Sequence, residues 1–208
     1  MDLDLFAEYF TTHATITALV YDNRCLGASD GLPRGEIIPY LQQSDLQDAI
    51  TFGQSLEEVD SEKIAIWGTS YSGGHVLQVG ALDRRVKAVL AQGFLVSGLE
   101  TFKRMTRASE LLELEKIFAA DRAARMSGEE PAIIQVVSGD PAVPASIPDP
   151  VAFDYFMGRH QQAPSWSNRV TIKRLSFLKH TLNIIASTRE CHSIRGLLYP
   201  LLRRLLCF

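Results

Sequence analysis

The sequence predicts an α/β protein whose parallel strands are joined by crossover helices, and two observations support this fold class. In the first half of the 208 residues, segments with apolar residues at helical spacing alternate with short apolar, β-branched runs. That alternation is typical of parallel sheets with helical crossovers. A glycine-rich turn also stands directly between one of these short runs and a helical segment, at residues 68–74.

Six elements account for the first half. Leu5, Phe6 and Tyr9 recur at helical spacing, and similar patterns follow twice more along the chain. The strand predictions depend on short runs of Ile, Val, Leu and Thr bounded by turn residues. In chain order we expect a helix over 3–13, a strand over 15–21, a helix over 39–56, a strand over 64–67, a helix over 73–82 and a strand over 86–90.

The rhythm changes after residue 98. Residues 99–126 read as one charged helical stretch, and 132–137 as a lone strand or an extended connector. Four prolines between 141 and 150 then indicate a loop. A further helix is expected over 151–157, and an aromatic segment follows at 166–170.

Composition excludes several classes of function. The formal net charge is −3, with 21 Lys and Arg against 24 Asp and Glu, so no basic field suits a nucleic acid. No apolar run approaches the roughly 20 residues of a membrane span, and the amino terminus is acidic, so we expect a soluble intracellular protein. The three cysteines are far apart, which predicts free thiols and no metal site. No cofactor is expected, and the oligomeric state is left open.

The most informative segment reads Gly-Thr-Ser-Tyr-Ser-Gly-Gly from Gly68 to Gly74, between a predicted strand and a predicted helix. A nucleophile elbow needs small residues two before and two after its nucleophile, because strand and helix approach closely there. Gly68 and Ser72 meet that need, which identifies Ser70 as the candidate nucleophile. The backbone N–H of Tyr71 would then lie where an oxyanion forms.

Two other interpretations of this turn remain. The segment could be a plain Gly/Ser turn that closes a crossover, since Ser72 replaces the last glycine of G-x-S-x-G. A dinucleotide-binding turn is favoured less, because Ser70 stands where that fingerprint needs its middle glycine.

Two stretches of the sequence resemble a known family. Residues 20–31 resemble the D-x-R-G-x-G-x-S-x-G loop of α/β-hydrolases, with Cys25 in place of the usual glycine. Residues 66–77 are similar to the elbow of dienelactone-hydrolase-like enzymes, particularly those of fungal secondary metabolism, including polyketide transferases and toxin-pathway hydrolases. Residues 149–156 and 166–171 resemble the insertion of that subgroup.

The resemblance implies a serine hydrolase or acyltransferase with a Ser, acid and His triad in that chain order. Ser70 fills the first role, but the later residues offer weak partners. Asp140 is a candidate acid, and His180 or His192 a candidate base. His75 lies too close behind Ser70 for that task and is expected to pack instead.

The same resemblance predicts three parts: residues 1–97 as a hydrolase core with the elbow, 98–178 as a cap-like insertion, and 179–208 as an atypical tail. We expect the chain to be truncated at both ends relative to the family, lacking early strands and the last two strands. Leucines and arginines of the tail could form a basic amphipathic helix that binds a membrane surface or a partner, although an exposed apolar end is favoured.

Two functional hypotheses follow. The first is a serine-nucleophile enzyme acting on an ester or thioester, with a small-molecule acyl substrate. The second is a catalytically incompetent hydrolase-fold protein that serves as a binding module or is a pseudogene product. The cytoplasm is the default location, with the peroxisome open for full-length relatives, because residues 206–208 carry no peroxisomal tripeptide.

Overall fold

The structure, a computed structural model, describes residues 3–140 and 142–180. Its helices and strands alternate in the first half, as the sequence predicts. In chain order they are α1 (Leu3–His13), α2 (Pro39–Gln54), β1 (Ile64–Thr69), α3 (Ser70–Leu82), β2 (Val86–Gln92), α4 (Gly98–Met105), α5 (Leu111–Met126), β3 (Ile133–Val137), β4 (Ala145–Ile147), α6 (Pro150–Arg159), a short 3-10 helix (His160–Gln162), β5 (Val170–Thr171) and α7 (Lys173–His180).

Strands β1 and β2 run parallel and are joined by the crossover helix α3, which confirms the α/β prediction. Their register pairs Trp67 with Leu90 and Thr69 with Gln92. A first core cluster lies between this pair and helices α2 and α3. It consists of aliphatic side chains that are almost fully buried, namely Ile50, Ile66, Val76 and Val79.

The strand expected over 15–21 is absent, and this prediction was wrong. Among the described residues β1 pairs with β2 alone, so the segment has no neighbouring strand with which to form a ladder. A β-branched sequence favours an extended backbone but makes no strand without such a partner. Ile16, Leu19 and Val20 are consequently 46–50% exposed.

Helix α1 has its predicted bounds but buries none of its residues. It contacts β1 through aromatic rings: Phe6 and Phe10 lie 4.9 Å and 5.9 Å from the ring centroid of Trp67. The helix is therefore held by edge and tilted ring contacts rather than by a filled core.

A second, three-stranded sheet has the order β4-β3-β5. Strand β3 pairs in parallel with β4 and antiparallel with β5, so the run at 132–137 is a central strand and not a lone one. The Asn168 side chain strengthens its end, because its Oδ1 accepts from Val137 N at 2.9 Å and its Nδ2 donates to Val137 O at 3.0 Å.

The single helix expected over 99–126 is two helices, α4 and α5, separated by residues 106–110. Because of this break, both helices contribute to the same second core cluster, which contains Phe102, Phe118, Ile172 and Leu175. The Phe102 and Phe118 rings lie 6.3 Å apart. A continuous helix could not bring these two aromatic residues, sixteen positions apart in sequence, into contact.

An ion pair and a backbone hydrogen bond are among the contacts that join the end of the described chain to its first half. Lys173 at the start of α7 forms an ion pair with Glu36 at 2.5 Å. Thr171 N donates to Gly35 O at 3.2 Å, and Gly35 has a φ of 77°, which favours glycine. Helix α7 has no counterpart among the sequence-based predictions.

Candidate active site

The predicted turn around Ser70 is a sharp junction between strand and helix. Strand β1 ends at Thr69 and α3 begins at Ser70, so the strand is two residues longer and the helix starts three residues earlier than expected. Ser70 is exposed and has a φ of 53°, in the left-handed region that serine seldom occupies. Such strain is typical of functional turns.

Gly68 makes the junction sterically feasible. A Cβ atom at this position would lie 2.5 Å from the carbonyl oxygen of Ser72 and 3.0 Å from Val76 Cγ1. The strand and the helix thus approach so closely that only glycine fits, which is the requirement deduced from the sequence. On the other side, Ser70 O accepts a hydrogen bond from Leu95 N at 3.0 Å, which ties the turn to the loop after β2.

The hydroxyl of Ser72 has a role that sequence reasoning missed. Its Oγ donates to Thr69 O at 2.9 Å and accepts from Thr69 N at 3.1 Å. The third residue of α3 thus forms hydrogen bonds with the residue that precedes the helix, as in a capping box. The Thr-x-x-Ser spacing at the helix start was the signal that could have revealed this contact.

The backbone N–H of Tyr71 lies next to Ser70 at the start of α3. It belongs to the first turn of α3, where N–H groups lack an acceptor within the helix, and no described residue accepts from it. A donor at a helix start is suited to a developing negative charge. This geometry agrees with the oxyanion role expected of Tyr71 without testing it.

The side chain of Tyr71 links the turn to the second core cluster. Its ring packs against that cluster, and its hydroxyl is buried without a hydrogen-bond partner in the described chain. Burial raises the pKa of Tyr71 to about 12, so the phenol stays neutral at physiological pH. The guanidinium carbon of Arg174 lies 5.4 Å from the ring centroid.

Arg174 is the second feature that the sequence did not reveal. It stands in α7 beside Lys173 and Leu175, a context with no motif to distinguish it. Only the packing of α7 against α4 places it next to the elbow, since those two helices are distant in sequence.

His75 is buried and packs as expected. Its Nε2 lies 3.1 Å from Gln42 Oε1 and its Nδ1 lies 3.4 Å from Gln43 Nε2, with the tautomer set by these partners. Burial lowers the pKa of His75 to about 4. A neutral imidazole that is fully engaged by two glutamines on α2 is not available to take a proton from Ser70.

The remaining triad candidates are not brought to the elbow by described contacts. The Asp140 carboxylate accepts from Ala142 N at 2.8 Å, which makes a local turn after β3, and no hydrogen bond joins it to Ser70. The backbone of His180 ends α7, but its side chain and all of His192 lie outside the described residues. Within the described chain, Ser70 Oγ forms no hydrogen bond.

The described residues contain no group of three His, Cys, Asp or Glu side chains arranged to hold a metal ion. Over the same residues, no helix combines the length and the apolar character needed to cross a bilayer. The one cysteine described, Cys25, is a buried free thiol.

Comparisons with known proteins give a consistent picture. The model of the acetyl xylan esterase family matches residues 40–134, which include the elbow. A thiohydrolase of Eupenicillium brefeldianum is 36% identical over 174 residues, covering 80% of this chain and 53% of the relative. The polyketide transferase grgF of a Penicillium species is 37% identical over 138 residues, covering 66% of this chain and 45% of the relative.

A solved structure shares the fold. The structure of DcsB in complex with its substrate analogue superimposes with a TM-score of 0.73 at 29% identity, covering 88% of this chain and 62% of that one. The chain spans about half the length of the curated relatives it matches.

Proposed function

Because the chain belongs to the α/β-hydrolase superfamily, with fungal secondary-metabolite hydrolases and transferases among its relatives, we propose that it is a serine-nucleophile hydrolase or acyltransferase. The observation that carries the proposal is the positive φ of Ser70 at the junction of β1 and α3. This conformation presents the hydroxyl at the end of the parallel pair, where an acyl group can approach it.

In the proposed reaction Ser70 Oγ attacks the carbonyl carbon of an ester or thioester. The tetrahedral oxyanion accepts a hydrogen bond from the N–H of Tyr71, and the alcohol or thiol leaves with a proton. Water or a second alcohol then releases the acyl group from Ser70. The names of the relatives, a thiohydrolase and a polyketide transferase, support a thioester donor and either acceptor.

The proposed reaction also needs a base and an acid. His75 is engaged by its glutamine partners and is not proposed as the base. The chain order Ser, acid, His makes His180 or His192 the proposed base and Asp140 the proposed acid. The residue range 98–178 is proposed as the cap over the substrate, since its core cluster receives the ring of Tyr71 directly after the nucleophile.

A fluorophosphonate probe tests the central claim on the full 208-residue chain. Labelling that disappears in Ser70→Ala and persists in the control Ser61→Ala, an exposed serine, supports an activated hydroxyl. Loss of labelling in His180→Ala or His192→Ala would identify the base. Labelling that survives Ser70→Ala would contradict the proposed nucleophile.

The second candidate is a hydrolase-fold binding module without turnover. One observation favours it: no described residue forms a hydrogen bond with Ser70 Oγ, and an unassisted serine hydroxyl is a weak nucleophile. This second candidate predicts that ester and thioester hydrolysis by the chain is near background. Robust hydrolysis of an acyl N-acetylcysteamine thioester that is lost in Ser70→Ala would exclude the binding module.

A further inference from the structure

Arg174 is a cation for which the described residues provide no anionic partner. Its Nε is buried with no hydrogen-bond acceptor, and the described residues include no carboxylate that pairs with it. Two other half-buried arginines form ion pairs: Arg24 with Asp45 at 2.5 Å, and Arg125 with Asp121 at 3.0 Å. Burial lowers the pKa of Arg174, the direction expected of a cation removed from water, although a guanidinium stays protonated.

The one described contact of this guanidinium is the Tyr71 ring, 5.4 Å from its central carbon. An aromatic face attracts a cation but offers no lone pair to the N–H groups, which lie in the guanidinium plane. Arg174 as a whole is only partly buried, so its terminal Nη atoms are not sealed in the way that Nε is. Among the described residues no acceptor is recorded for this fork of donors, which suits a carboxylate.

The contact of Arg174 with Tyr71 indicates a role in ligand binding. Tyr71 follows Ser70 directly, so the ring that Arg174 contacts belongs to the residue next to the candidate nucleophile. We propose that Arg174 binds a carboxylate of the substrate, and that the acyl chain carrying this carboxylate also presents its ester or thioester carbonyl to Ser70. This inference rests on the proposed function and adds a substrate class to it: acyl groups with a free carboxylate.

Tyr71 acts here as a positioning residue. Its ring holds the guanidinium near the elbow, while its buried hydroxyl makes no contact that the ligand would need. Substitutions that remove the hydroxyl and substitutions that remove the ring should therefore have different effects on ligand binding. Removing the hydroxyl leaves the ring contact, whereas replacing the ring by an aliphatic side chain releases Arg174.

The test measures binding without turnover, in the Ser70→Ala variant of the 208-residue chain. Monomethyl adipate and monomethyl suberate carry one carboxylate and one ester, and their dimethyl esters are uncharged matches. By calorimetry the monoanions should bind at least about tenfold more tightly than the diesters, since hydrogen bonds to charged groups are among the strong ones. Equal affinity, or no binding of the monoanions, would overturn the inference and indicate that any carboxylate on Arg174 comes from protein.

Substitutions locate the effect. Adding Arg174→Met should weaken monoanion binding by about tenfold or more, and Arg174→Lys by less, because the point charge remains. Arg169→Met is the matched control, since Arg169 is exposed and lies five residues away in sequence. This variant should bind the monoanions with unchanged affinity. Tyr71→Phe should bind like its parent and Tyr71→Leu should not. An unaffected Arg174→Met, or an equal loss in Arg169→Met, contradicts the site.

Failure of this inference is distinguishable from failure of the proposed function. Charge-selective binding together with an unlabelled Ser70 supports the carboxylate site and removes the nucleophile role. Probe labelling of Ser70 without any preference for the monoanions removes the carboxylate site and leaves the nucleophile role intact.

Discussion

The two sides of strand β1 are held in different ways. Toward β2 the strand has a parallel ladder along its length, and the loop that follows β2 bonds to Ser70 O. Toward α1 its described contacts are those of the Trp67 ring with Phe6 and Phe10, and the extended residues 15–21 that follow α1 have half-exposed apolar side chains. The elbow is therefore stabilised from the β2 side and through α3. Substitutions on that side should be costly, and those on the α1 side should not.

The largest expected effect is at Gly68. In Gly68→Ala the new Cβ would lie 2.5 Å from the carbonyl oxygen of Ser72, an overlap with backbone that cannot rotate away. We expect a loss of about 3 kcal/mol in the free energy of unfolding, measured by urea denaturation.

Gly158→Ala is the matched control for this substitution. Gly158 lies in helix α6, and a Cβ atom added there would meet no heavy atom within 4 Å, so alanine should be neutral or stabilise by up to about 1 kcal/mol. Equal stability of the two variants would contradict the close approach of β1 and α3.

The contact of α3 with α2 makes stability depend on pH through His75. The pKa of His75 is about 4 in the folded chain, below its ordinary value of 6.5, so the unfolded chain binds the proton more tightly. The contribution is fully present above pH 6.5 and is lost as the pH falls toward 4, by roughly 3 kcal/mol in all. Urea denaturation at a series of pH values measures this loss.

A variant that lacks His75 isolates the effect. In His75→Gln the same side of α3 keeps a polar side chain but loses the titration, so the fall in stability between pH 6.5 and 4 should become shallower. An unchanged pH profile would show that another group controls acid unfolding.

A smaller effect is expected at Ser72. Ser72→Ala removes both hydrogen bonds to Thr69 while preserving the small size that the elbow needs. The expected loss is about 1 kcal/mol by thermal or urea denaturation, a typical value for a helix-start contact. Ser61→Ala, at an exposed serine, should change nothing measurable, and a Ser72→Ala variant as stable as Ser61→Ala would show that the hydroxyl is dispensable.

The smallest effect belongs to the α1 side. Ile16 is 50% exposed in a segment without ladder partners, so Ile16→Thr should change the free energy of unfolding by less than about 0.5 kcal/mol. A loss of more than about 1 kcal/mol would mean that residues 15–21 are packed in solution, and would remove the contrast between the two sides of β1.

The sequence by itself determined the shape of the turn at Ser70. Gly68, Ser70 and Ser72 were identified because the constraint is local: a strained turn between strand and helix demands small residues at fixed spacing. The bounds of α1, α2, α3 and β2 were likewise near prediction, since helical periodicity and short apolar runs are properties of neighbouring residues.

Only the tertiary structure decided which segments find a partner. Residues 15–21 have a strand-like sequence but no partner strand within the described chain, whereas Ile133–Val137 lies between two strands. The separation of α4 from α5, and the approach of Arg174 to Tyr71, likewise depend on packing between distant segments. Strand pairing, core packing and charge contacts are set by residues far apart in sequence, and no local pattern encodes which of them meet.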